Sequence, residues 1–402
     1  MRQRRDSNPF QKPAVGNVAK RWIDYNPTMN KPLLGGLSAA EFLRDYWQKQ
    51  PLLVRNAIPG FKGLLEPTAL QALACEDEVQ ARLIRETKTG WALDHGPFKL
   101  ADFKPKAKLP WTLLVQELNH HLASARDLLQ QFDFIPHARL DDLMVSYATP
   151  GGGVGAHFDS YDVFLLQGSG QRRWQISAQT DLTLVDGAPL KILQNFVPEQ
   201  AWVLDPGDML YLPPCYAHNG VAIDACTTYS IGFRAPSVQE IATQFLVYMQ
   251  DKLDLPGMYQ DADLDLQAHP GEIGDAMLNQ VADMVACVSW QRADIADFLG
   301  RYLTEPKPHL FFDPPEPPLT QSAFTRRAQK HGVALAPQSL LLWQADTFYL
   351  NGETLAAMPD TTALQRLADQ RRLAGSQIAA ALVAALYPLY LDGYIVLNLV
   401  DA

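Results

Sequence analysis

The 402-residue sequence predicts a mainly β core, a barrel or sandwich of short strands, with helical stretches before and after it. Three observations carry this. From Leu143 to about Arg234, short apolar runs alternate with Gly and Pro punctuation and frequent aromatics, the texture of closely spaced short strands. After Pro236 the apolar spacing changes to the threes and fours of amphipathic helices. A proline-rich run from Phe312 to Pro318, stiff and extended, then sets off a last small module.

In chain order, residues 1–30 begin Met1-Arg2-Gln3-Arg4-Arg5 and are expected to form a flexible basic arm. No apolar segment follows the basic start, which argues against a secretory signal. Ser38-Ala39-Ala40-Glu41 is a capping box ahead of Phe42, Leu43, Tyr46 and Trp47, and Pro51 closes that helix. Leu52 to Val54 reads as a short strand, and helices are expected over about 67–85 and 110–130. Val154 to Gln167 reads as a strand. Asp205 to Asp208 is a Pro-Gly turn into a second strand, Met209 to Leu212, which runs into a Pro213-Pro214 corner.

Ser237 to Glu240 is another capping box, and Ile241, Phe245, Tyr248 and Met249 share one helical face. Ile273, Met277, Val281, Met284 and Val285 mark a second helix; Ile295, Phe298, Leu299, Tyr302 and Leu303 mark a third. Three such helices need a surface to bury against, the β core or their copies in a second subunit. The final module has core candidates at Leu340 to Trp343, Phe348 to Leu350, Leu364 to Leu367 and Ile378 to Leu386, an alternation that suits a winged-helix-like unit. From Gln321 onward six Lys/Arg face six Asp/Glu, so direct DNA binding is not expected of it.

Apolar content of 47% is ample for a packed core, and the net charge of −10 favours a basic partner over a bare phosphate backbone. Four cysteines, Cys75, Cys215, Cys226 and Cys287, show no CxxC spacing and suit reduced thiols in a cytoplasmic protein. No run approaches the length of a membrane span.

The chemistry is concentrated at His157-Phe158-Asp159, answered about 60 residues later by His218. Two imidazoles and one carboxylate are the protein ligands of a facial-triad iron(II) site, which keeps coordination positions open for a co-substrate and dioxygen. On a strand, His157 and Asp159 would share a face, with His218 arriving from a loop. Oxygenase chemistry of this kind also needs a cation for the far carboxylate of a keto acid. Arg172 and Arg173 face opposite ways on a strand, so only one can point inward, and Arg172 is the candidate. Gly151 to Gly155 lacks Walker spacing and reads as a loop passing close to the metal or substrate. Asp162 is either a structural carboxylate or, with Ser230, a grip for a cationic substrate group. Cys215 reads as packing beside the site, and the remaining histidines as surface or structural residues.

The runs Thr149 to Phe164, Gln167 to Trp174, Asp205 to His218 and Tyr229 to Pro236 resemble the bacterial ribosomal oxygenases of the JmjC cupin superfamily, over roughly residues 35–400. The resemblance implies a double-stranded β-helix (cupin) domain at 31–236, a helical dimerisation region at 237–310 and a winged-helix-like domain at 311–402. It implies Fe(II) held by His157, Asp159 and His218, with 2-oxoglutarate and O2 as co-substrates and Arg172 on the 2-oxoglutarate C5 carboxylate. Ala148 stands where relatives would place a small hydroxyl residue, which makes Ser146 the candidate second contact. The implied activity is hydroxylation of an arginine β-carbon in large-subunit ribosomal protein sixteen by a cytoplasmic homodimer. Histidine hydroxylation, N-demethylation and a metal-binding cupin without oxygenase activity are the alternatives.

Overall fold

The computed structural model describes residues 33–87, 90–104, 109–262 and 264–397, so the expected basic arm lies outside the described residues. They divide into two compact units, one of residues 33–115 and 144–231, the other of 116–143 and 232–397.

The elements of the first unit are α1 (Ala39–Asp45), β1 (Leu52–Val54), α2 (Pro67–Leu73), β2 (Ala81–Thr87), β3 (Gly90–His95) and β4 (Trp111–Val115). The chain then forms α3 (Leu118–His121) and α4 (Ala123–Gln130) of the second unit. It returns through β5 (Leu140–Ala148), β6 (Val163–Gln167), β7 (Arg172–Ser177), β8 (Gln200–Leu204), β9 (Met209–Leu212), β10 (Ala217–Ala222) and β11 (Cys226–Phe233). An eight-stranded sheet has the order β1-β9-β6-β11-β5-β4-β2-β3, and a three-stranded sheet the order β10-β7-β8. Leu53, Val163, Leu165, Leu210 and Leu212 of the large sheet pack against Trp174, Ile176 and Leu204 of the small one. The two sheets therefore face each other across a core, which is the double-stranded β-helix.

Alternation along β6 and β9 covers the large sheet on its other face too. Phe164 and Tyr211 point away from the inter-sheet core and meet Phe42 of α1 at centroid separations of 5.5 and 4.9 Å. The Ser38–Glu41 capping box that starts α1 is present in both directions, with Ser38 N–H donating to Glu41 Oε2 at 2.9 Å.

In the second unit the helices α5 (Val238–Gln250), α6 (Asp275–Ala286) and α7 (Arg292–Thr304) follow, then α8 (Gln321–His331), β12 (Val333–Leu335), β13 (Leu341–Gln344), β14 (Thr347–Leu350), β15 (Glu353–Thr354), α9 (Thr361–Gln370), β16 (Arg372–Leu373), α10 (Ala380–Leu391) and β17 (Ile395–Leu397). The terminal module builds its own core from Phe324, Leu341, Phe348, Leu364, Leu367, Leu382 and Leu386, among others, nearly all buried as the apolar pattern requires. No helix among the described residues is long and apolar enough to cross a membrane.

Two helical expectations fail in part. The stretch 67–85 is helical only to Leu73, because from Ala81 the chain is taken up in pairing with β3 and β4. The stretch 110–130 begins as β4, paired to β5 from Thr112↔Ala148 to Val115↔Val145, and turns helical only at Leu118. In both, cross-strand pairing overrides a local helical pattern.

Candidate metal centre

The strand expected from Val154 begins only at Val163, so His157 and Asp159 lie on the loop between β5 and β6, while His218 lies on β10. The loop is glycine-rich for steric reasons. A Cβ at Gly152 would sit 2.6 Å from the Trp111 carbonyl oxygen, and Gly155 has φ +81, a conformation L side chains avoid. The tight approach at Gly152 is to the protein's own backbone, where the sequence pointed to metal or substrate.

One isolated bridge fixes the loop: His157 N–H donates to His218 O at 2.9 Å and His218 N–H to His157 O at 2.8 Å. His218 is in turn registered opposite Ile176 of β7. Cys215, with φ 59, donates its N–H to Asp159 O at 2.7 Å and so closes the loop carrying the carboxylate.

These constraints gather His157, Asp159 and His218 with one ligand atom each inside 4.8 Å of one another. The imidazole centroids are 4.2 Å apart, and His218 Nε2 is 3.6 Å from Asp159 Oδ2. Each ring is oriented through its other nitrogen. His157 Nδ1 is 2.9 Å from Gly155 O, and His218 Nδ1 is 2.9 Å from Tyr216 O. A carbonyl only accepts, so both Nδ1 atoms carry the proton and both Nε2 lone pairs are free for a metal. Burial, helped by the neighbouring His157, pushes the His218 pKa down to about 4 against the pull of Asp159. The ring is therefore neutral at physiological pH, the state a metal ligand requires.

Arg172 and Arg173 do point opposite ways: Arg172 is buried and Arg173 exposed. Arg172 Nη1 donates to Ser146 Oγ at 3.2 Å, and the guanidinium carbon lies 5.5 Å from the Trp174 ring centroid. Its Nε and Nη2 are buried with no hydrogen-bond partner. Burial holds the Arg172 pKa below its usual value, yet a guanidinium does not lose its proton in a protein. A buried cation with two orphaned donors is costly unless an anion meets it, and a bidentate carboxylate fits those donors. Three side chains that could ligate a metal and this cation share the space between the two sheets. Together they can hold a divalent metal and a dicarboxylate co-substrate.

Ser230, 9% exposed, shares the strand parity of Cys226 and Thr228 on β11. Ala148 packs with Ala222 and Cys226 and carries no polar role. Of the two readings of Asp162, its surroundings favour the structural carboxylate over the substrate grip. It is wholly buried, accepting from Tyr211 Oη at 2.6 Å and Gln48 Nε2 at 2.9 Å. Tyr211 faces α1, so this carboxylate anchors the loop to the far side of the large sheet. Gln48 and Tyr211 escaped the sequence reading because their link to Asp162 spans 114 and 49 residues. The histidines set aside earlier include structural ones: His309 bonds Glu117 at 2.7 Å and His137 bonds Asp133 at 3.0 Å.

Residues 127–241 match the JmjC domain family, and residues 287–395 match the ROXA-like winged helix. Cupin core, ligand set and orphaned guanidinium define an iron(II)- and 2-oxoglutarate-dependent dioxygenase of the JmjC type. The chain is similar to the ribosomal protein uL16 3-hydroxylase of Escherichia coli K12, 33% identical over 365 residues, 90% of this chain and 94% of the relative. A probable ribosomal oxygenase of Haemophilus influenzae is 40% identical over 232 residues, 56% of this chain and 54% of its own. The crystal structure of E. coli YcfD, a ribosomal oxygenase in complex with cobalt and 2-oxoglutarate, superposes with a TM-score of 0.77 at 32% identity, covering 90% of this chain and 98% of YcfD. The chain belongs to the ribosomal oxygenase family.

Proposed function

We propose that this chain hydroxylates the β-carbon of an arginine in ribosomal protein uL16, with His157, Asp159 and His218 as the iron(II) ligands and Arg172 and Ser146 as the anchors of 2-oxoglutarate. The observation that carries the reading is the buried Arg172 guanidinium, with two donors unsatisfied, beside a carbonyl-oriented pair of imidazoles. The near full-length similarity to a uL16 3-hydroxylase supports the substrate. When bound, iron(II) with 2-oxoglutarate supplies the activation of dioxygen, coupled to formation of succinate and carbon dioxide.

The chain's own residues do the positioning. His157 and His218 turn their Nε2 atoms toward one point, with the buried His218 ring neutral, and Asp159 adds the carboxylate. Arg172 fixes the far end of the co-substrate and Ser146 orients Arg172. The walls of Trp174 and Ile176 exclude water from that end. Ser230 is assigned to the substrate side, and Asp162 to support of the metal loop.

Residues 31–236 form the catalytic part in this reading, 237–310 a dimerisation region and 311–402 a module for protein contact rather than direct DNA binding. Leu246 and Val247 of α5 and Val281, Met284 and Val285 of α6 are 42–64% exposed, an apolar surface that a second copy of the chain would cover. An enzyme that acts on a ribosomal protein would work in the cytoplasm, where the substrate is made. Replacing Val281 and Val285 by Glu is expected to halve the mass measured by light scattering.

The decisive measurement is intact mass of uL16 after incubation with the protein, iron(II), 2-oxoglutarate and air. A gain of one oxygen, about 16 Da, mapped to arginine and absent with Asp159→Ala, is the expected result. Succinate formation without that gain would overturn the substrate and leave the enzyme class, and loss of a methyl group would point to demethylation.

A further inference from the structure

We propose that a second, polar cavity, in the unit that holds no metal ligand, binds a small oxyanion: a phosphate group or a compact carboxylate. The cavity, about 90 Å³ and partly open to solvent, lies between α3 and α4, residues 304–310, residues 337–340 and Arg371. That is room for several waters or one such ion.

Arg371 is held with φ 58 just past α9 and carries its guanidinium inward. Nη2 donates to Ala336 O at 3.0 Å, Pro337 O at 3.3 Å and Ser339 O at 2.9 Å. Its Nε and Nη1 donate to no acceptor among the described residues. Arg126, on α4, gives only Nη1, to Asn119 O at 3.0 Å. Neither arginine forms an ion pair among the described residues, and His120 Nδ1 is buried without a hydrogen bond.

The acids in the lining are already engaged. Glu117 holds Lys307 at 2.8 Å and His309 at 2.7 Å. Asp141 holds Lys307 at 3.0 Å and Arg234 at 3.6 Å, Asp133 holds His137 at 3.0 Å, and Glu305 is exposed. Burial, then repulsion from Arg126, pushes the Arg371 pKa down to about 10, with Asp133 pulling the other way. Two guanidinium groups with free N–H edges on one partly open cavity are a fork-shaped receptor for an oxyanion, which would relieve the cost of burying them together. Nothing in this site belongs to the oxygenase machinery, and an ion here would tie α4 to the C-terminal module.

The test is thermal unfolding of the full chain titrated with inorganic phosphate and, in parallel, with citrate, each against sodium chloride at matched ionic strength. The expected result is a saturable rise in Tm of about 5 °C with one of the two, which identifies the ion class. Arg126→Leu, which disturbs no structural carbonyl cluster, should lose the rise, as should Arg371→Met if it folds. Arg172→Met should keep it. No rise beyond chloride, a rise that survives Arg126→Leu, or one abolished by Arg172→Met would each overturn the site; the first would mean that the cavity holds only water.

Discussion

Each site histidine is placed by a carbonyl two residues before it, Gly155 O for His157 and Tyr216 O for His218, so the candidate ligand and the group that orients it arrive on one short segment. The tautomer is thereby fixed before any metal binds, and no reorganisation is needed at that moment. Arg172 is the opposite case, a residue left unfinished. Ser146 meets one of its nitrogens and two have no partner, the pair that the proposed function gives to the co-substrate. Arg172→Met keeps the stem but removes the cation. The expected effect is a weakening of 2-oxoglutarate binding by roughly 2–4 kcal/mol, about 30- to 1000-fold. The fold should be no less stable, since an unpaired buried charge is gone. Tryptophan fluorescence titration with 2-oxoglutarate and a thermal melt check the two halves. Equal binding by the variant would remove Arg172 from the role assigned to it.

At the scale of elements, the convergence of His157, Asp159 and His218 was legible and their carriers were not. His-X-Asp reads as a strand because two-residue spacing puts side chains on one face. The chain reaches the same convergence with a loop pinned by a two-bond bridge to His218 and by the Cys215 N–H on Asp159 O. Gly-rich composition marked that loop, but local pattern cannot report a backbone partner more than sixty residues away. Arg172 over Arg173 was legible as an either-or, and the buried face of β7 decides it. The same strand explains Gly220, two positions beyond His218 and paired with Trp174. A Cβ there would lie 2.6 Å from the Trp174 ring, which in turn lies 5.5 Å from the Arg172 guanidinium and 5.9 Å from the His218 ring. Gly220→Ala must therefore displace a packed indole between the two halves of the site. We expect it to cost about 1–3 kcal/mol of stability and to weaken both metal and co-substrate binding. Calorimetric titration of cobalt(II) and 2-oxoglutarate into the variant checks this; unchanged affinities with an unchanged melt would mean the indole can move freely.

For the whole molecule, the group that should shape stability against pH is Asp142, at the start of β5. It is 8% exposed, accepts the Glu117 N–H at 3.0 Å, and has its pKa raised to about 6, first by burial and then by the adjacent Asp141. The folded chain thus holds this proton more tightly than the unfolded chain, where the pKa is near 4. The sign follows from linkage. The stability contributed by this group is fully present below about pH 4, falls as pH rises through the window from 4 to 6, and is gone above it. A shift of about two units corresponds to roughly 3 kcal/mol. Glu117, which Lys307 and His309 hold below the usual carboxylate range despite its burial, works in the other direction and is lost as pH falls. The net curve therefore mixes both, and the difference between wild type and Asp142→Asn isolates the first. Asparagine keeps an acceptor for the Glu117 N–H but has no charge to bury. Its urea midpoint should exceed that of the wild type at pH 7, and the gap should close as pH drops to 4. Parallel curves across that window, or a variant less stable at pH 7, would show that Asp142 is charged and satisfied in the folded protein.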